Sequence, residues 1–257
     1  MAESGANPRA EEFAADYWTE SARPLVSLAF VAPLLAAYEL GVLFLQRRNG
    51  ADVWMRDWLE GFGFRQYFLL PLLACFILVA WHHTTQQPWR IRGGVLCGMW
   101  LESGALAVIL LLMAKLQDRL LDWCSSPAAI TERGGQELLS KIVAYLGAGM
   151  YEELLFRLLL ISLLAWFFRG CGLNRRGALI VAIAVSSLLF ALAHYNVRIP
   201  LLGWETANAH GEIFQWRSFL FRFSAGAFFG AVFAFRGFGV AVGAHALYDL
   251  LLIVWPG

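Results

Sequence analysis

Residues 151–157 read Tyr151-Glu152-Glu153-Leu154-Leu155-Phe156-Arg157, inside an apolar run from Ile142 to Phe168 that holds no other formal charge. A water-facing helix would spread its charges along one whole side. This run instead fits a helix in a bilayer, where an ionisable side chain costs about 2.5–3.5 kcal/mol on insertion scales and so needs a partner, a cavity or a function. The rest of the chain has the same character. Of 257 residues, 59% are AVILMFWYC and 15% are charged, against about 25% charged in an ordinary soluble domain. Twenty Lys or Arg and 19 Asp or Glu are too few to coat a soluble globule of this length, and 11 Trp with 20 Phe point to lipid contact.

A bilayer core of about 30 Å takes about 20 helical residues to cross. Seven apolar runs of that order lie between polar clusters: Leu25 to Leu45, Gln66 to His83, Gly94 to Ala114, Ile142 to Phe168, Gly177 to His194, Phe214 to Phe235 and Gly239 to Trp255. They are apolar on all sides, unlike the alternating segments of a membrane barrel. The expected fold is all-α, a polytopic transmembrane helical bundle of about seven spans with the active site inside it. Residues 1–24 form a polar segment, read as either a short interfacial helix carrying Phe13, Tyr17 and Trp18 or a disordered tail. They carry five acids against two Arg and no apolar run, so they do not read as a cleaved signal peptide. Residues 25–257 form one transmembrane domain. Eight cations fall on the N-terminal side of these spans and eleven on the other, so the positive-inside rule does not orient the chain. A net charge of +1 in scattered clusters gives no nucleic-acid-binding face. Cys75, Cys97, Cys124 and Cys171 form no CxxC pair, so neither a disulfide framework nor a zinc ribbon fits.

The charged groups inside the runs are the candidate site. Glu153 and Arg157 are four apart, acid before base, the favourable order for an ion pair on one helical face. Glu152 lies about 100° around an α-helix from Glu153, and one Arg neutralises one carboxylate. Glu152 therefore needs another proton, donor or water, which is how a general base is commonly poised. The fifth run ends with Phe190 and His194 on one face, and the seventh holds His245 and Asp249 at hydrogen-bonding spacing. His82, His83 and His210 are read as interfacial. Two His, two Glu, one Asp and one Arg over three neighbouring helices argue for one shared cavity. Glu152, His194 and His245 offer a base, an orienting imidazole and a donor, suited to activating water and stabilising an oxyanion. The same three are also possible Zn2+ ligands, although no HExxH helix is present. Glu39 and Glu102, also inside runs, are expected to have local structural roles.

These residues resemble the CPBP family, the CAAX-protease and bacteriocin-processing intramembrane proteases, whose pattern is E-E-x-x-x-R, then F-x-x-x-H, then H-x-x-x-N or D. The resemblance covers residues 142–255. It implies that Glu152 and His194 position and activate the attacking water, that His245 and Asp249 help stabilise the oxyanion, and that Glu153 and Arg157 complete the first motif, Arg157 in a supporting role. Asp249 stands where prenyl-protein endopeptidases of the family often have Asn. An ionised Asp cannot donate to an oxyanion, so Asp249 either orients His245 or is protonated. The resemblance implies a glutamic-type endopeptidase without a cofactor, with a Zn2+ enzyme as the alternative. The implied partners are a membrane-anchored protein or peptide substrate and the lipid bilayer, with the oligomeric state open. The chain looks like the bacterial branch, placed in the inner membrane. A polar loop from Asn196 to Gln215, with Arg198, Glu205, His210 and Glu212, is expected at the cavity entrance. The rival readings are a catalytically silent scaffold of the same fold and a proton-coupled transporter.

Overall fold

The structure, a computed structural model, describes residues 16–121, 135–195, 198–199, 204–205 and 212–255. It is nearly all helical. The elements are α1 (Pro24–Leu45), α2 (Gly50–Gly61), α3 (Leu69–Thr84), α4 (Gly93–Leu121), α5 (Gly135–Gly147), the π-helical segments Ala148–Glu152 and Leu154–Ile161, α6 (Ser162–Gly170), α7 (Arg175–Leu192), α8 (Trp216–Arg236) and α9 (Phe238–Val254). A two-residue antiparallel pair joins β1 (Arg198–Ile199) to β2 (Trp204–Glu205), with Arg198 opposite Glu205. All seven apolar runs are helical, but among the described residues only α1, α4, α7 and α8 are each long and apolar enough to cross a membrane as single α-helices, while α3 and α9 are shorter apolar helices. The run from Ile142 to Phe168 is a helix whose middle is widened to π geometry, not one regular α-helix.

Local chemistry sets the boundaries. Pro24 opens α1, where its missing N–H is an orphan in any case. Gln46 closes α1 in the left-handed conformation (φ 54°), its N–H donating to Val42 O. Asn49 caps α2 by accepting the Ala51 N–H at 2.8 Å, and Asn174 caps α7 through Gly177 N. Pro71 sits in the first turn of α3, the position where a helix tolerates it.

At the centre is α9, whose residues from Phe238 to Ala246 are all buried. A helix apolar all round belongs inside other helices, and its small residues let them approach closely. A Cβ on Gly243 would fall 2.5 Å from Ser103 Oγ and 2.8 Å from the Phe30 ring, and one on Gly149 would fall 2.8 Å from the Ala246 backbone nitrogen. The outside is the reverse of a soluble protein's: Phe44, Leu72, Phe76, Leu101, Trp166 and Phe235 are all exposed, an apolar surface suited to lipid and unsuited to water.

Each end of the bundle is tied by a polar network. At the end where α1 and α4 begin, Arg236 forms two bonds to Glu102 (2.5 and 2.8 Å), donates to Ser21 Oγ at 2.8 Å and stacks 3.7 Å above the Trp18 ring. Tyr17 also donates to Glu102. Residues 16–21 are helical and held by these contacts; Phe13 lies outside the described residues. At the other end Glu39 accepts from Tyr151 Oη at 2.5 Å and lies 3.6 Å from Arg56. Glu102 and Glu39 thus hold helices together. His82 is buried in the last turn of α3 against Trp89, whereas His83 is exposed. His210 and Cys124 lie outside the described residues.

The close contacts of α9 give a test. Gly149→Ala places its methyl against the backbone of Ala246, which cannot rotate away, and is expected to destabilise the protein by about 1–3 kcal/mol. Gly41→Ala meets only Val143 side-chain carbons and is expected to cost less. Thermal unfolding in detergent compares the two.

Candidate active site

The π geometry of residues 148–161 is the local feature on which the site is built. Hydrogen bonds from i to i+5 widen the turn and leave carbonyls to find other donors, and such segments are frequent at functional sites. Ser186 of α7 supplies one, donating to Phe156 O at 2.7 Å. Glu153 and Arg157 keep their pairing within this widened segment, at 3.2 Å, and both are almost fully buried.

Six of the seven candidate residues fall into two adjoining groups. The deep group is Glu153, Arg157, His245 and Asp249. Here His245 differs from its expected hydrogen bond with Asp249: Nδ1 lies 2.7 Å from Glu153 Oε1, whereas Nε2 stands 3.6 Å from Asp249 Oδ2. The physical reason is the bare backbone at Gly149, which brings the π-helical segment against α9 and sets Glu153 nearer the ring than the acid on its own helix. The His245 ring also stacks on Phe229, centroids 4.5 Å apart and planes 16° from parallel. The outer group is Glu152 and His194, with Glu152 Oε2 4.0 Å from His194 Nε2 and both side chains only partly buried. His194 Nδ1 is 2.8 Å from Phe190 O, a carbonyl, so Nδ1 carries the proton and Nε2 is the edge turned to Glu152.

Phe190, the seventh candidate, joins the two groups. Its ring lies 4.9 Å from the His194 ring and 6.3 Å from the His245 ring, with the Arg157 guanidinium 4.3 Å above it. A cation over an aromatic face is attracted to the ring's negative quadrupole, so Arg157 fixes Phe190 as well as Glu153. The expected pairing of Glu153 with Arg157 has its counterpart here, while of Glu152, His194 and His245 the first two face each other and His245 lies in the deep group.

Among the described residues no three of His, Cys, Asp and Glu are grouped as a set that could hold a metal ion.

Sequence reading missed four contributors. Asn49 Nδ2 donates to Glu152 Oε1 at 3.3 Å from the loop between α1 and α2. Tyr38 and Asp52 support that loop, and Phe229 backs His245. The run Asn49-Gly50-Ala51-Asp52 is a helix-start signal, a capping residue with an acid in the first turn; nothing in it reports a contact 103 residues away. Of the polar loop, Glu212 is described. Its N–H donates to His194 O at 3.0 Å, and its carboxylate accepts from Arg222 at 2.8 Å. That bond from Arg222 holds the Glu212 carboxyl below the usual carboxylate range.

Burial separates the two glutamates experimentally. Arg157→Met leaves Glu153 without its guanidinium in the interior and is expected to destabilise by about 3–5 kcal/mol. Glu152→Gln, at the partly exposed edge, is expected to stay within about 0.5 kcal/mol of wild type. Equal unfolding temperatures for Arg157→Met and wild type in the same detergent would contradict this placement.

The comparison with family models matches residues 134–251 to the type II CAAX prenyl endopeptidase Rce1-like family. No curated protein and no solved structure was found to match the chain. The matched segment begins at α5 and reaches through Asp249, so it contains every residue of both groups. Over residues 134–251, less than half of its length, this helical membrane protein is therefore similar to the type II CAAX prenyl endopeptidase Rce1-like family.

Proposed function

We propose that the chain is an intramembrane endopeptidase in which Glu152 and His194 together activate a water molecule. The observation that carries this is their spacing. Four ångströms between Oε2 and Nε2 is too long for a direct hydrogen bond and suits one water touching both. Glu152 takes a proton from that water, the oxygen attacks the carbonyl carbon of the scissile peptide, and the proton passes to the leaving amine. The products are a new carboxyl and a new amino terminus. His245, fixed through Nδ1 by Glu153, acts as an imidazolium in this reading and donates its Nε2–H to the carbonyl oxygen on which charge develops. Asp249, near the same nitrogen, keeps that ring edge oriented. No step calls for a metal.

The family match supports peptide hydrolysis in general, and the lipid-facing exterior supports a substrate that is itself membrane-associated. The chain crosses the membrane seven times in this reading, as an inner-membrane protein of bacterial type, because each apolar run forms a helix. Seven crossings put the two termini on opposite sides. Accessibility labelling of tags at the two ends that found both on one side would remove that topology.

The catalytic proposal is tested by comparing terminal peptides of host membrane proteins from cells expressing wild type or Glu152→Gln at matched levels. New termini found only with the wild type are expected, and they identify the substrate. Identical termini in both, with a membrane partner co-purifying with either form, would move the scaffold reading ahead.

A further inference from the structure

We infer that Asn49 is a positioning residue for Glu152, anchoring one carboxylate oxygen so that the other is free to work with His194. The inference rests on the proposed role of Glu152 and adds to it a group from outside the segment matched to the family.

The carboxamide of Asn49 has two ends with separate tasks. Oδ1 accepts the Ala51 N–H at 2.8 Å and caps α2. An amide oxygen engaged by a donor fixes which end is which, so the NH2 is the end turned to Glu152 Oε1, at 3.3 Å. Oε1 is thereby held from the α2 side, and Oε2 is the oxygen facing His194.

This donor is itself held in place. The Asn49 backbone N–H donates to Tyr38 Oη at 3.0 Å, and Tyr38 Oη donates to Asp52 Oδ2 at 2.8 Å. Asp52 is fully buried and also binds Arg56 at 2.5 Å. The Tyr38 ring meets the glutamate's own helix in two places. It covers Gly147, where a Cβ would fall 2.2 Å from the ring, and it packs edge-on against Tyr151 with centroids 5.4 Å apart. The loop that carries Asn49 and the π-helical segment that carries Glu152 are therefore registered against one buried tyrosine. This is what a preorganised site requires, since a displacement of about 1 Å at a reacting group can cost about 100-fold in rate.

Asn49→Ser separates the two tasks. The substitution keeps the cap on α2 but removes the amide donor to Glu152. If Asn49 only caps α2, Asn49→Ser, an equally good cap that adds no charge beside Glu152, behaves as wild type. If it positions Glu152, kcat falls about 10- to 100-fold with KM within about threefold, on the substrate segment recovered from the terminal-peptide comparison and presented to the full chain in proteoliposomes. Glu152→Gln in the same assay keeps the two claims apart. Full activity of Glu152→Gln overturns the proposed mechanism, whereas an inactive Glu152→Gln beside a fully active Asn49→Ser overturns the positioning role alone.

A second readout needs no turnover. The chain has five asparagines, so 15N-asparagine labelling gives few side-chain amide signals, and the one lost in Asn49→Ser is Asn49's. Glu152→Ala is expected to move that signal and leave the others in place; an unmoved signal overturns the proposal.

Discussion

A carboxylate inside a bilayer protein has to be neutralised and hydrogen-bonded where it sits, and at Glu153 that requirement organises the molecule. Arg157 meets it from the same helix at 3.2 Å and His245 from the central helix at 2.7 Å. Removing one partner of such a buried set leaves a charge without compensation. The contact to His245 depends in turn on backbone approaching backbone at Gly149 and Ala246. Ion pair, glycine contact and central helix are parts of one arrangement.

The two adjacent glutamates receive different environments from this arrangement. Glu153 is enclosed, and its Oε1 serves to hold both His245 and Arg157. Glu152, one residue earlier, reaches the partly exposed side with His194 and the Asn49 amide. Phe190 separates the two groups with one ring, touched by both imidazoles and by Arg157. Two carboxylates one residue apart thus sit in different surroundings, which is the basis for the chemical part proposed for Glu152.

Much of this was legible in the chain itself. The apolar runs located every long helix, because a bilayer imposes length and composition on each segment separately. The spacing of Glu153 and Arg157 showed their pairing, and the order of three short polar motifs pointed to the family whose model matches residues 134–251. The rest depends on contacts between distant residues. His245 was expected to bond Asp249 at i+4, but a facing helix brought Glu153 closer. Asn49 lies in the polar stretch after the first apolar run, and its cap on α2 is a local signal, while its reach to Glu152 comes from tertiary packing around Tyr38. The π geometry has no pattern in a run of apolar residues, and the helix it widens was expected to be regular.

The central claim is that Glu152 and His194 act on the same water. A double-mutant cycle measures this directly, using cleavage rates of wild type, Glu152→Gln, His194→Ala and the double variant on one substrate. Groups that act as a unit lose their effect together, so the double variant should be no slower than the slower single variant. Losses that multiply, with the double variant slower by the product of the two single effects, would show the residues acting independently and contradict the account.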